Sequence, residues 1–332
     1  MKRRTFVATA LAVGTSLATS QVAFAWTSSA RRSGVTPRAL RANQTNDQGA
    51  AIVAQHVDEA TTTDYLTVPG ARLYYEVTGS GPVLLLIHGA PADADAFAPI
   101  VNLLAEHYTV VRYDTRGMSR SRPDDPAQDV PIAVHTDDAR RILATLGDEP
   151  ASVLGSSGGA VIGLALAERY LEQVRTLVAH EPPLVHLLPE DDARRAAVQE
   201  ISDTYRTEGV GPAMGMFMAL AGGESQPAPP SEVTPEMQAA MARMQQNLDT
   251  LFAHYMLPIT TYVPDVAALQ AGPSRVVVGV GEASAGELAH DTALALANRL
   301  GTDAVTFPGA HGGYTSHPAV FVELLLEVLL AE

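Results

Sequence analysis

Short, nearly continuous apolar runs recur along the chain, and segments with the 3.6-residue period of a helix separate them. A strand that is apolar on both faces must be covered on both, as it is in a parallel sheet with helices on each side. The alternation therefore predicts an α/β fold with a doubly wound, mostly parallel sheet. The strands are predicted at 72–77, 83–88, 109–114, 151–155, 174–180, 275–280 and 304–307. The helices are predicted near 94–105, 134–146, 158–170, 286–300 and 318–331.

A single segment interrupts this alternation. From about residue 184 to 262 the sequence shows helical patterns and no strand, which predicts a helical cap inserted between two strands of the sheet. Thioethers fit irregular shapes, so a methionine-rich segment can pack as ordinary core or form an adaptable apolar lid over a pocket. Most of the nine methionines of the chain lie in this segment, at 214, 216, 218, 237, 241, 244 and 256.

The first 25 residues have the features of an export signal. Basic residues at positions 2–4 precede an apolar stretch, and small residues suit cleavage after Ala25. The arginine pair resembles a twin-arginine signal, although ordinary secretory signals also carry basic residues. We therefore expect the mature protein outside the cytoplasm, with 26–60 as a flexible lead-in and 61–332 as the folded domain.

The composition argues against several classes of partner and chemistry. The formal net charge is −15, and an acidic surface disfavours nucleic acids and anionic membranes as partners. The chain has no cysteine, which excludes disulfides, thiolate metal sites and a cysteine nucleophile. No apolar run after residue 25 is long enough to span a bilayer, and the histidines lack the spacing of metal ligands. The sequence therefore predicts no metal, no cofactor and no membrane span.

The stretch GSSGG at 155–159 connects a predicted strand to a predicted helix and fits the pattern G-x-S-x-G, with Ser157 at its centre. In such a turn the central residue has a strained backbone and an exposed side chain at the edge of the sheet. Gly155 and Gly159 are small where a Cβ atom would collide with the turn. Ser157 is therefore the predicted nucleophile, and Ser156 flanks it.

Four motifs occur in an order that resembles the α/β-hydrolase superfamily, over nearly all of residues 65–332. They are LLLIHGAP at 84–91, YDTRGMSRS at 113–121, GSSGG at 155–159 and FPGAHGG at 307–313. Within them, GMSRS, SSGG, AHEPP and PGAHGGYTSHPAVF look most similar to ester and lactone hydrolases of the zearalenone-lactonase type. Haloalkane dehalogenases and epoxide hydrolases of this fold use Asp as the nucleophile, so Ser157 favours acyl transfer through an acyl-enzyme instead.

The resemblance implies that the catalytic base is a histidine on the loop after the last strand. His311 lies there, in a glycine-rich loop that follows the predicted strand at 304–307. His317 is the alternative, but it precedes Pro318 at the start of the last helix and is expected to cap that helix or face solvent. His311 is therefore preferred as the base that accepts the proton of Ser157.

Two glutamates are candidates for the acid that orients this histidine. The common place is the turn after the strand that follows the cap, where Ser284 or Ala283 fills the usual Asp position and Glu282 is close. Lactonases of the resembled type instead have a Glu directly after the strand that follows the nucleophile helix, where Glu181 stands. Glu181 is preferred, and Glu282 stays open as the alternative acid.

Two backbone N–H groups are expected to bind the oxyanion of the tetrahedral intermediate. Gly158 follows the nucleophile at a helix N-terminus, and the resemblance implies Ala90, which follows His88-Gly89, as the second donor. His88 itself is expected to be structural.

These features predict an exported serine hydrolase that cleaves an apolar ester or lactone without a cofactor. The same triad could also carry perhydrolase, haloperoxidase-like or C–C bond hydrolase chemistry. A non-catalytic protein of this fold that binds small molecules is a further alternative.

Overall fold

The structure is a computed structural model, which describes residues 61–222 and 234–331. The predicted export signal at 1–25 and lead-in at 26–60 lie outside the described residues.

The described strands form one mixed sheet, and its central part is parallel. Their order across the sheet is β1-β2-β4-β3-β6-β7-β8-β9, with β5 paired to β2. The strands are β1 Thr62–Val68, β2 Ala71–Thr78, β3 Val83–Ile87, β4 Thr109–Tyr113, β5 Arg122–Pro123, β6 Ala151–Ser156, β7 Val174–His180, β8 Arg275–Gly281 and β9 Val305–Phe307. All pairs from β4 to β9 are parallel, whereas β1, β2 and β5 pair antiparallel at one edge. The predicted α/β class with a mostly parallel sheet is confirmed.

Helices cover both faces of this sheet. They are α1 Ala98–Ala105, α2 Ile132–Ala144, α3 Gly158–Arg169, α4 Ala193–Glu208, α5 Val210–Ala221, α6 Pro235–Thr250, α7 Met256–Thr260, α8 Val266–Ala271, α9 Leu288–Leu300, α10 Gly313–Ser316 and α11 Pro318–Leu330. In the described ranges, no helix is both long and apolar enough to cross a bilayer.

The apolar runs of the sequence form strands because both faces of the central sheet are buried. On β3, Leu85 and Ile87 join the apolar cluster on one face, and Leu84 and Leu86 join the cluster on the other. All four side chains are fully buried. Burying one such side chain contributes about 1.5–3 kcal/mol relative to exposure, so each face of the strand stabilises the fold.

The first strand was not predicted from the sequence. β1 pairs antiparallel with β2 from Thr62↔Val77 to Val68↔Ala71. It lies at the sheet edge, and only Val68 of its seven residues is buried. An exposed edge strand needs no apolar run, and its stretch of sequence therefore carries no such signal.

The helices α4 to α7 lie between β7 and β8, in the segment predicted to form the cap. The described parts of that segment, 184–222 and 234–262, contain no strand. Helix α6 continues without a break into a π-helical turn, Leu251–Tyr255, and then into α7. Such turns often occur at functional sites.

Candidate active site

Ser157 lies in the sharp turn between β6 and α3. Its backbone has φ 56° and ψ −124°, in a region that L-residues rarely adopt and that costs of the order of 1–3 kcal/mol. The Ser157 N–H donates to the carbonyl of His180 at 2.9 Å, which ties the turn to the neighbouring strand β7. Every residue from 151 to 160 is buried except Ser157, which is half-buried. Ser157 is therefore the residue of this stretch that is least buried, and it lines the cavity described below.

Two glycines are required for the turn to close. A Cβ atom on Gly159 would lie 2.0 Å from the carbonyl oxygen of Ile87, on the next strand. A Cβ atom on Gly155 would lie 2.4 Å from the carbonyl oxygen of Gly159. Both contacts are with backbone that cannot give way, so the spacing of G-x-S-x-G follows from the packing of the turn against β3.

Glu181 and His311 form a hydrogen-bonded pair at the carboxyl end of the sheet. The distance from His311 Nδ1 to Glu181 Oε2 is 2.5 Å. The other carboxylate oxygen accepts the Gly281 N–H at 2.8 Å and the hydroxyl of Ser284. Glu181 is fully buried and also has a positive φ, 50°. Its carboxylate is thus hydrogen-bonded to the end of β8, to the turn after β8 and to the loop after β9.

The pKa of Glu181 is low despite its burial. Burial alone would raise this pKa, but the hydrogen bond and charge of His311, with smaller contributions from His180 and Ser284, lower it to about 2. The carboxylate is therefore ionised at neutral pH and accepts the Nδ1–H of His311. In a neutral ring with its proton on Nδ1, Nε2 can accept a proton, as a general base must.

The structure does not bring the two alternative residues into this arrangement. Glu282 is exposed, and it lines a separate surface groove together with Glu323 and Glu327. His317 is also exposed, and its ring nitrogen lies 2.9 Å from the hydroxyl of Ser316. Neither residue is a hydrogen-bond partner of the Glu181 carboxylate, and neither lines the cavity at Ser157.

The loop after β3 lies close to the side chain of Ser157. A Cβ atom on Gly89 would be 3.1 Å from Ser157 Oγ and 3.2 Å from the Gly158 nitrogen. Ala90 and Gly158 line the same cavity as Ser157. The two backbone groups predicted to bind an oxyanion thus flank the serine.

The side chain of His88 hydrogen-bonds to this loop and to the loop after β4. Its ring is fully buried, and Nε2 accepts the Thr115 N–H at 3.1 Å. Nδ1 lies 3.0 Å from the Gly89 carbonyl oxygen and therefore carries the proton. Both nitrogens are used within the fold, in agreement with the structural role expected for this histidine.

A cavity of about 530 Å³ opens above Ser157 and His311. Its wall on the cap side is mostly apolar, formed by Met214, Phe217, Met218, Leu251, Tyr255, Met256 and Ile259. The methionines at 237, 241 and 244 are half-buried along α6 and do not line it. Met214, Met218 and Met256 therefore face the cavity, whereas these three methionines lie away from it.

Sequence reasoning missed the residues through which the cap contacts this site. Asn247 is buried next to the loop after β3, and Tyr255 is buried next to Gly158. Neither residue belongs to a recognisable motif.

Within the described ranges, no group of three or more His, Asp or Glu side chains is placed to hold a metal ion.

The chain matches a known protein family, curated relatives and solved structures. Residues 82–253 match the family described as "alpha/beta hydrolase fold". The chain is 36% identical to the uncharacterized hydrolase YraK of Bacillus subtilis (strain 168), over 80% of this chain and 96% of that protein. It is 28% identical to a zearalenone hydrolase of Bionectria ochroleuca, over 80% of this chain and 97% of that protein. A solved α/β hydrolase from Sphaerobacter thermophilus is 27% identical and superposes with a TM-score of 0.61, over 80% of this chain and all of that one.

Proposed function

The chain belongs to the α/β-hydrolase family, and we propose that it is a serine hydrolase that cleaves carboxylic esters or lactones through an acyl-enzyme. The observation that carries this proposal is the hydrogen-bonded pair of Glu181 and His311 on the cavity that also holds Ser157. A serine hydroxyl is a weak nucleophile unless an oriented base accepts its proton, and this pair supplies such a base.

In the first half of the reaction, Ser157 Oγ forms a bond to the substrate carbonyl carbon while its proton moves to His311 Nε2. The carbonyl electron pair moves to oxygen, and the oxyanion accepts hydrogen bonds from the N–H groups of Ala90 and Gly158. Each such donor is worth about 3 kcal/mol in the transition state. The intermediate then expels the alcohol oxygen, which takes the proton from Nε2.

In the second half, water attacks the acyl-serine ester and gives a proton to His311. Collapse of this intermediate releases the carboxylic acid and restores the Ser157 hydroxyl. Glu181 stays ionised and stabilises the imidazolium that forms in each half. With a lactone substrate, the alcohol and the acid remain in one ring-opened product.

The cavity supports a medium-sized apolar substrate. About 530 Å³ of space is bounded on the cap side by aliphatic, thioether and aromatic side chains, which favour apolar acyl or alcohol groups. The similarity to a zearalenone hydrolase supports lactones within this class. The proposed partner is thus a small apolar ester or lactone, and neither a nucleic acid nor a cofactor enters the reaction.

Labelling with a fluorophosphonate probe tests the nucleophile. We expect labelling of the wild-type protein and of Ser156→Ala, and loss of labelling in Ser157→Ala. Ser156 is a matched control because it is the adjacent serine in the same turn and is buried, 1% exposed. Labelling that survives in Ser157→Ala would contradict the proposal.

Product analysis then tests the bond that is cleaved. We expect acid and alcohol from esters and hydroxy acids from lactones, without added peroxide. Turnover only of diketones, or only with peroxide, would replace the proposal by C–C bond hydrolysis or perhydrolysis. Binding of these compounds without any turnover would favour a non-catalytic protein.

The basic and apolar pattern of residues 1–25 supports export of this hydrolase, with a twin-arginine signal as the proposed route. N-terminal sequencing of protein recovered outside the cytoplasm tests it. A start shortly after Ala25 is expected, and intact protein confined to the cytoplasm would contradict it.

A further inference from the structure

The cap helix α6 is joined to the loop that carries the predicted oxyanion donor Ala90. Asn247 on this helix is buried, 2% exposed, and both ends of its carboxamide are used. Its Nδ2 donates to the Pro91 carbonyl at 2.8 Å and to the Ser119 hydroxyl at 3.0 Å. Its Oδ1 accepts the Ser119 N–H at 2.7 Å. One side chain therefore bridges the cap and two loops of the α/β core.

These contacts bear directly on the geometry of the oxyanion site. Pro91 follows Ala90 and lines the cavity beside it, so the hydrogen bond to the Pro91 carbonyl restrains this loop two peptide units after the one that carries the Ala90 N–H. Ser119 has a positive φ, 43°, which is uncommon for a residue other than glycine. Only a side chain with a donor and an acceptor can satisfy both partners at once.

The neighbouring turns of α6 strengthen the same connection. Arg243 donates from Nε to Asp93 at 2.8 Å and from a terminal nitrogen to Asp95 at 2.6 Å. Thr250 donates to the Gly117 carbonyl at 3.0 Å. Arg243, Asn247 and Thr250 are four and three residues apart and thus lie on one face of the helix.

The continuation of this helix forms part of the substrate cavity. Leu251, Tyr255 and Met256 follow α6 directly and line the space above Ser157. A substrate that packs against these side chains therefore contacts the helical segment that holds the loop of Ala90. Contact with the substrate and placement of the donor are connected through one helix.

We propose that Asn247 is a positioning residue for the reaction. It holds the loop of Ala90 so that the Ala90 N–H points at the developing oxyanion, and the position of this donor therefore depends on how α6 packs against the core. This inference rests on the proposed serine-hydrolase function. Asn247 does not touch the reacting atoms. The oxyanion itself accepts hydrogen bonds only from the backbone of Ala90 and Gly158.

The test compares Asn247→Asp with Gln246→Glu. The first variant is nearly isosteric but replaces the donor Nδ2 by an oxygen that repels the Pro91 carbonyl. The second makes the same change of amide to carboxylate one residue away, on the exposed side of α6. The readouts are kcat and KM for a p-nitrophenyl ester, and the affinity for an alkyl boronic acid, which forms a tetrahedral adduct with the serine.

In Asn247→Asp we expect kcat to fall by about 10- to 100-fold, in line with the effect of small misplacements in an active site. KM should change by less than about threefold, because the cavity wall is intact. The affinity for the boronic acid should fall by the same factor as kcat. Gln246→Glu should match the wild-type protein in all three measurements.

Asn247→Ser is a second variant that removes the carboxamide without burying a charge, and the same split between kcat and KM is expected. A folded variant with wild-type kcat and boronate affinity, or with a raised KM alone, would overturn the proposal. Unfolding of both variants at 25 °C would overturn it as well, because Asn247 would then serve stability alone. If Ser157→Ala keeps the turnover of the wild-type protein, the proposed function fails instead, whatever the Asn247 variants do.

Discussion

The hydroxyl of Ser284 donates a hydrogen bond to Oε1 of Glu181, although the two residues follow different strands of the sheet. Ser284 lies in the turn after β8, at the place where the superfamily commonly has its acid. Here the acid is proposed to come from the turn after β7, and the turn after β8 contributes a donor to it. The carboxylate oxygen that does not bind His311 is thus satisfied within the protein.

Replacement of the proposed acid should abolish most of the turnover. Glu181→Gln keeps the shape of the side chain but removes the charge that stabilises the His311 imidazolium. We expect kcat on an activated ester to fall by about 10³- to 10⁴-fold. Glu282→Gln is the matched control and should retain wild-type kcat, since Glu282 is exposed in a separate groove. Near-normal activity in the first variant with collapse in the second would move the acid to Glu282.

The low pKa of Glu181 predicts a specific dependence of stability on pH. This pKa falls from an ordinary 4.5 to about 2 in the folded protein. The ionised carboxylate therefore contributes to the free energy of unfolding fully above pH 4.5, and the contribution is lost as the pH falls towards 2. A shift of this size corresponds to about 3 kcal/mol.

Urea unfolding of the wild-type protein and of Glu181→Gln at pH 6 and pH 3 measures this contribution. We expect the difference in the free energy of unfolding between the two proteins to shrink by about 2 kcal/mol at the lower pH. A difference that is equal at both pH values would show that the carboxylate is not held in its ionised form by its partners.

Tyr255 offers a test of the contact between the cap and the nucleophile turn. Its hydroxyl is buried and has no hydrogen-bond partner within the described part of the protein. A Cβ atom on Gly158 would lie 2.7 Å from this hydroxyl. Removal of an unpaired buried hydroxyl relieves a desolvation penalty, so Tyr255→Phe should raise the free energy of unfolding by about 1 kcal/mol.

The activity of Tyr255→Phe should stay within about twofold of the wild-type value, because neither oxyanion donor changes. Urea unfolding and ester hydrolysis of one preparation measure both effects. A loss of kcat without a loss of stability would show that the hydroxyl donates to the bound substrate.

The cavity wall predicts how substrate size can be changed. Met218 on α5 lines the cavity and is half-buried. Met218→Trp should narrow the space and lower kcat/KM for a long-chain ester by about tenfold, while an acetate ester is little affected. The measurement is a series of p-nitrophenyl esters of increasing acyl length. An equal loss along the whole series would mean that the substrate does not extend towards α5.

The central strands and the loops of the site could be predicted from the sequence because burial leaves a strong signal there. β6 is buried at all six positions, and its apolar run leads directly into the GSSGG turn. The resemblance to the α/β-hydrolase superfamily is confirmed by the family match. Glu181 and His311 were both expected at strand ends, and the structure brings them within hydrogen-bonding distance.

The remaining features depend on contacts between distant parts of the chain. The predicted helix near 94–105 begins instead as a 3₁₀ turn, Ala94–Phe97, which Asp93 caps through the Asp95 N–H at 3.1 Å. Asn247 reaches residues far away in sequence, Pro91 and Ser119, and nothing in its local sequence indicates these partners. Such residues show their role only when the cap is placed on the core.

Ser157 and Glu181 follow adjacent strands, and the backbone hydrogen bond from Ser157 to His180 joins their two turns. The separation of Ser157 and Glu181 is thus set by two paired strands of the central sheet, whereas the His311 imidazole lies on a glycine-rich loop near the end of the chain. A change in the conformation of that loop would therefore move His311 relative to Ser157 and Glu181 without altering the strands that hold those two residues.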